Sequence, residues 1–388
     1  MKKNNFIKKP VLAVIVLVFV AAAIAYIESQ KPDISLPTQN TNTGNTNTQL
    51  ENNLSSNNEL DAKTEDAILS LGVGDTKYPL APDFVGIDKW INSEPLKIEE
   101  LRGKVVLVDF WTYTCINCIR TLPYLKDWDQ KYRDKGLVIV GVHTPEFEFE
   151  KDYDNVLKAV NQYSIKYAVA QDNYYATWQS YQNRYWPHKF LIDIYGRVRY
   201  DHIGEGGYEE TEKAIQELLQ ERMEKLGEKG NVDFETSKPL DAINTSSGKI
   251  GTPEIYLGYQ FSRGNFGNPE GFGQDTVIDY AMPSKIKGNN VYLEGKWKSN
   301  PDNMELMSDG GSFLLVFDAK SVNIVAGSEA GSEAGSEAVT FLDNKKQNPQ
   351  NISEFKLYNL ANADGYKEHL LKATIRGKGF KLYTFTFG

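Results

Sequence analysis

Cysteine is nearly absent: the 388 residues hold two, Cys115 and Cys118. No set of structural disulfides can staple the fold, and any thiol chemistry must take place in the segment Cys115-Ile116-Asn117-Cys118. Histidine is almost as scarce, with four residues, His143, His188, His202 and His369. Only these could complete a zinc site begun by the cysteine pair. Excess positive charge is missing too. Lys and Arg number 43 against 52 Asp and Glu, a formal net charge of −9 with pI near 5.2, and no basic patch stands out, which argues against nucleic acid as a partner.

A long apolar run occurs once, from Val11 to Ile27. Lys2, Lys3, Lys8 and Lys9 precede it and Glu28 follows, the charge order of an export signal whose positive end stays inside. At about 1.5 Å per residue the run reaches roughly 25 Å, within the range of a spanning helix. Residues 1–27 are therefore predicted to be a retained signal anchor. The small residues Ala21-Ala22-Ala23 and Ala23-Ile24-Ala25 offer the alternative of cleavage and secretion. No cysteine follows the run, so a lipidated N-terminus is not expected. Residues 28–62, rich in Asn, Thr, Ser and Gln, have too few apolar groups to offset the entropy of ordering and read as a flexible tether reaching roughly 30 to 35 Å. The expected location is the plasma membrane, single-pass, with the folded parts extracytoplasmic.

The remaining length suits two domains. Residues 63–228 alternate apolar strand runs with helical segments: strands at 105–110, 137–142, 167–171, 189–193 and 198–203, and helices at 116–135, 153–163, 174–181 and 209–226. That order predicts an α/β sandwich with parallel strands, crossover helices and a closing hairpin. Residues 229–250 are polar and read as a linker. Residues 251–388 turn to short alternating strands with Gly and Asn turns, predicting an all-β sandwich of the jelly-roll kind. The tandem Ala-Gly-Ser-Glu repeat at 326–337 reads as a loop lengthened by duplication.

The cysteine pair sits where the buried strand Val105-Val106-Leu107-Val108 gives way to a helix. Two thiols separated by two residues close only a short ring, and a sulfur at a helix N-terminus is favoured as thiolate. The disulfide is thus expected to be labile and redox-active rather than structural. The strand-to-helix setting favours this over half a zinc site, so neither metal nor cofactor is expected.

The string Val108-Asp109-Phe110-Trp111, the pair Cys115-x-x-Cys118, Pro123 and the later Trp186-Pro187 resemble a thioredoxin-fold protein. The wider string Leu101-Arg102-Gly103-Lys104-Val105 through Thr112-Tyr113-Thr114-Cys115 is similar to the extracytoplasmic thioredoxin-like part of the DipZ group of cytochrome c biogenesis proteins, relatives of TlpA. In that group a β-sandwich resembling a carbohydrate-binding module follows. Thr252-Pro253-Glu254-Ile255-Tyr256-Leu257-Gly258-Tyr259 and Tyr383-Thr384-Phe385-Thr386-Phe387-Gly388 resemble its two ends. The multi-span membrane domain that precedes these modules there is replaced here by the single apolar run.

The resemblance implies a protein-disulfide oxidoreductase that reduces exported proteins, with apocytochrome c as one client class. Electrons are expected from a separate membrane thiol reductase of the CcdA or DsbD type. It also implies roles. Cys115 is the nucleophile and Cys118 the resolving thiol, Asp109 the buried proton acceptor, and Pro187 the bearer of a cis peptide. Trp186, through its backbone, and Thr114 are expected to meet the client. His143 and His188 are left between site neighbours and packed residues, Pro123 is read as a kink in the active-site helix, and Phe110 and Trp111 as packing around the thiols. Two other readings compete. A redoxin-type thiol peroxidase has support in Thr112, three residues before Cys115, but Val108 stands where the proline of that pattern belongs. A cell-wall glycan-binding protein is the second, with Tyr256, Tyr259, Trp297, Tyr358 and Tyr383 stacking on sugars if they share an exposed face; strand alternation puts Trp297 in the core instead.

Overall fold

A computed structural model describes residues 70–242, 249–328 and 335–388. The signal anchor, the polar tether and the middle of the Ala-Gly-Ser-Glu repeat lie outside the described residues. Among those described, no helix is long and apolar enough to cross a membrane.

The first domain is built on six strands, β1 (Lys89–Ile91), β2 (Val105–Trp111), β3 (Leu137–His143), β4 (Ala168–Gln171), β5 (His188–Ile192) and β6 (Val198–Ile203), in spatial order β1-β4-β3-β2-β5-β6. β2, β3 and β4 run parallel, while β1, β5 and β6 pair antiparallel to their neighbours. β2 lies between β3 and β5 and is covered on both faces, which is why it reads as an unbroken apolar run. Alternation then divides it. Leu107 and Trp111 enter one core with Cys118, Leu122 and Leu125, whereas Val106, Val108 and Phe110 enter the opposite core with Trp178, Tyr181 and Ile192. Asp109, between Leu107 and Trp111 in this register, faces the cysteine side.

Helices α1 (Ile116–Tyr132), α2 (Tyr153–Gln162), α3 (Ala176–Ser180) and α4 (Tyr208–Leu226) complete the layer arrangement. α1 runs through Pro123 without interruption. α4 stops at Gly227, whose positive φ of 67° lets the Glu228 amide bond back to the Met223 carbonyl at 2.9 Å. The stretch expected to link the domains does not leave the first one at once. Val232 is buried in its core, and Ser237 donates to the Glu212 carboxylate from both its amide (2.6 Å) and its hydroxyl (2.9 Å).

The second domain is all β, from β7 (Ile255–Tyr256) and β8 (Val277–Tyr280) through β9 (Val291–Ser299), β10 (Met304–Leu306), β11 (Gly310–Asp318), β12 (Ser321–Ser328), β13 (Ser336–Leu342), β14 (Lys345–Lys346), β15 (Gln350–Ile352), β16 (Lys356–Asn362) and β17 (Glu368–Arg376) to β18 (Phe380–Phe387). The short strands β7, β8, β10, β14 and β15 carry too few residues for alternation to reveal them. Rather than two separate sheets, there is one twelve-stranded sheet curled on itself. β9 belongs to both halves: Val291 to Glu294 pair with β11, and Gly295 to Ser299 with β8 and β10. The turn-over comes at Gly295, φ 99°. The halves share a core that includes Trp297, Phe313, Phe317 and Phe385.

The outer face of β12 and β18 is not open to solvent. Phe147 and Phe149, from the loop after β3, insert among Tyr256, Phe355 and Tyr383, with Phe147 5.1 Å and Phe149 4.8 Å from the Tyr383 ring. The Tyr113 hydroxyl donates to the Phe355 carbonyl at 3.3 Å, and Lys158 pairs with Glu354. This overturns the sugar-stacking platform. Of the aromatics that alternative required, Tyr256, Tyr358 and Tyr383 are buried, Tyr256 and Tyr383 are covered by the first domain, and Trp297 lies in the core as strand alternation predicts.

Candidate active site

Cys115 caps the N-terminus of α1 in an extended conformation, and its sulfur accepts the Cys118 backbone N–H at 3.3 Å. Both thiols are free, Cys115 partly exposed and Cys118 buried. Burial raises the Cys118 pKa well above its ordinary value, and hydrogen bonding to Cys115 and its charge add to this.

Asp109 is fully buried on β2, and its Oδ1 has no hydrogen-bond partner among the described residues. Burial lifts its pKa to about 7, against the opposing charge of Lys189. Lys189 stands directly across the β2–β5 ladder, equally buried, with its Nζ 3.1 Å from the Gly204 carbonyl. Burial lowers the Lys189 pKa, and the charges of Asp109, Cys118 and Glu205 resist that. Glu205 pairs in turn with Arg120 of α1 at 3.2 Å. The lysine escaped the sequence reading; its one signal is a cation inside the otherwise buried run His188 to Ile192.

The Trp186–Pro187 peptide is cis. Trp186 packs on Trp178 at 4.3 Å and donates Nε1–H to the Thr144 carbonyl at 3.1 Å, while its own backbone groups carry no hydrogen bond among the described residues. Thr114 is buried, its hydroxyl donating to Glu150 Oε1 at 2.6 Å, and it lines a small cavity over Cys115. Glu150 Oε2 accepts the amides of Glu146 (2.6 Å) and Phe147 (3.0 Å), fixing the loop that carries the interdomain phenylalanines. Nothing in the spacing of Glu146 and Glu150 distinguishes them from surface carboxylates, so sequence reasoning missed both.

The remaining candidates separate cleanly. Trp111 packs on the cysteine side, whereas Phe110 lies in the opposite core and is no thiol neighbour. His143 is buried 5.2 Å from the Trp111 ring and stacked on Tyr113 at 5.7 Å, and burial depresses its pKa to about 3, so it sits near the site as a neutral ring. His188 is a packed residue held by Asn183 at 2.8 Å and Asp201 at 3.0 Å. His369 lies in the second domain, on β17. The Thr112 hydroxyl lies 3.4 Å from His143 Nε2, and only the Thr112 carbonyl meets Cys115, by accepting its amide at 3.3 Å.

Residues 73–219 match the Redoxin family and residues 252–388 the thioredoxin-like C-terminal domain family. The chain is 39% identical to protein DipZ of Mycobacterium bovis over 253 residues, 64% of this chain and 35% of DipZ. It thus spans about a third of the length of that relative. It is 32% identical to thiol-disulfide oxidoreductase ResA of Bacillus cereus over 36% of this chain and 76% of ResA. The solution structure of a thioredoxin-like protein in the oxidised form is 28% identical, covers 37% of this chain and 97% of its own, and has a TM-score of 0.35.

Proposed function

We propose that this chain, which belongs to the thioredoxin-fold thiol:disulfide oxidoreductases, reduces disulfides of exported proteins through Cys115 and Cys118. The observation that carries the reading is the asymmetry of the pair: one sulfur partly exposed at a helix N-terminus, the other buried one turn deeper beside a buried carboxylate. An exposed sulfur receiving a backbone N–H is suited to attack, since the donor and the helix dipole stabilise its anion.

In the proposed cycle the Cys115 thiolate attacks a client disulfide, forming a mixed disulfide and releasing one client thiolate. Cys118 then gives up its proton, attacks the Cys115 sulfur and expels the second client thiolate. Two electrons pass to the client, and Cys115 and Cys118 are left as a disulfide. Asp109 is the proposed acceptor of the Cys118 proton, because a carboxyl with a pKa of about 7 takes and returns a proton near neutrality. The unpaired Trp186 backbone beside cis Pro187 is the proposed ladder for an extended client segment.

In the wider proposal residues 1–27 anchor the chain, residues 28–62 tether it, and residues 63–228 and 251–388 act outside the cytoplasm. A membrane thiol reductase of the CcdA or DsbD type re-reduces the pair, and apocytochrome c is among the clients. Trapping tests the core of this: Cys118→Ser is expected to accumulate mixed disulfides on Cys115 with exported proteins, and Cys115→Ser to accumulate none. Equal trapping by both variants would contradict the assigned order of attack.

A further inference from the structure

Over Cys115 the two domains enclose a cavity of about 90 Å³, roughly the room of one side-chain head group rather than a peptide. One wall is Cys115 and Trp186, the other Glu254, Tyr256 and Thr386 of the β domain, and Glu146 lies between them. The β domain is built to face this way. Along β18, Phe385 and Phe387 enter its own core, and alternation turns Thr384 and Thr386 to the first domain.

Two independent features mark the cavity as a place for a ligand group. Thr386 is buried, 5% exposed, and its hydroxyl has no hydrogen-bond partner among the described residues, a cost that a buried polar group carries until something meets it. The charge around it is one-sided as well. Glu146 and Glu254 both reach the Tyr256 hydroxyl, at 2.7 and 3.1 Å, and Glu150 lies behind Glu146. Burial and the neighbouring Glu150 raise the Glu146 pKa to about 8, so near neutrality Glu146 is largely protonated and is a carboxyl that an incoming cation would ionise. The counter-charge present, Arg263, stacks over the Tyr256 ring at 4.2 Å but is itself exposed and screened by solvent.

We infer that this cavity is the client-recognition subsite, in which the β domain receives a cationic side chain flanking the client's disulfide, its charge met by Glu254 and Glu146 and its polar atoms by the Thr386 hydroxyl. The inference rests on the disulfide-reductase reading and adds to it the class of client and a purpose for the second domain. An anionic side chain at the same point meets carboxylates; an apolar one leaves the threonine unpaired.

The test uses the reduced, detergent-solubilised full chain and two synthetic disulfide peptides that differ only in a Lys or a Glu beside the attacked cysteine. The neutral bis(2-hydroxyethyl) disulfide is a third substrate. The Lys peptide is expected to react roughly tenfold faster than the Glu peptide. Glu254→Gln should bring that ratio toward one, and Thr386→Val, which keeps the shape and removes the hydroxyl, should slow the Lys peptide relative to the neutral disulfide. A ratio near one in the parent chain, or one unmoved by Glu254→Gln, overturns the subsite while leaving the reductase reading intact. Failure to reduce any of the three substrates overturns both.

Discussion

Asp109 and Lys189 are cross-strand partners on the β2–β5 ladder, both fully buried on the face that carries Cys118, yet the lysine gives its hydrogen bond to Gly204 rather than to the carboxylate. Asp109 keeps an oxygen with no hydrogen-bond partner among the described residues. A carboxylate fixed in a salt bridge is held ionised and makes a poor base near neutrality. Lys189 therefore moderates the pKa of Asp109 without capturing its charge.

Asp109→Asn is expected to slow resolution of the mixed disulfide about 100-fold at pH 7 and to abolish the dependence of that step on a group titrating near pH 7. Stopped-flow tryptophan fluorescence through single turnovers checks it. An unchanged profile would remove Asp109 from the proton path.

The same carboxyl imposes a stability slope with a defined sign. Its folded pKa of about 7 lies above the unfolded value of 3.8, so between those pH values the native state binds more proton. This contribution to stability therefore falls as pH rises through that window. Asp109→Asn removes the penalty, because the amide cannot ionise, and the variant is expected to gain up to about 4 kcal/mol relative to the parent above pH 7, and nothing below pH 4. Urea unfolding at pH 4 and pH 8 measures both ends.

Lys189→Met deletes the charge that holds the Asp109 pKa down. The midpoint of the resolution step should move above pH 7, with the plateau rate at high pH retained. A midpoint that stays in place would show that the lysine acts on packing alone.

Phe147→Ala tests whether the two domains unfold together. Phe147 is buried among Phe149, Phe261, Tyr256 and Tyr383, and truncating a buried phenylalanine costs about 3 to 5 kcal/mol. Much of that falls on the interdomain contact, so calorimetry is expected to resolve one transition into two. Glu150→Gln should act on the same contact more weakly, by about 1 to 3 kcal/mol, through its bonds to Thr114 and to the Glu146 and Phe147 amides.

The residues legible in sequence were those whose meaning is local. Two cysteines at a strand-to-helix transition declare themselves by spacing, whereas the role proposed for Asp109 came from the resemblance to thioredoxin-fold proteins. Glu150, Lys189 and Thr386 owe their roles to neighbours at large separations, 36 residues from Thr114 to Glu150 and still more from Asp109 to Lys189 and from Cys115 to Thr386. Periodicity carries no trace of those pairings. The covering of Tyr256 and Tyr383 was not legible for a related reason: alternation assigns a residue to a face of its sheet but cannot tell that another domain covers the outer face. Phe110 failed differently, since adjacency to Trp111 in the chain puts the two on opposite faces of a strand.

The central claim is that Cys115 and Cys118 form a reducing dithiol. Its most direct test is the equilibrium of the pair against a graded dithiothreitol series, with Cys118→Ser as the control that cannot close the ring. A midpoint near or below about −250 mV, in the range of thioredoxin, is the expected result. A midpoint near about −120 mV, that of a strong oxidant, would contradict it and reverse the direction of electron flow.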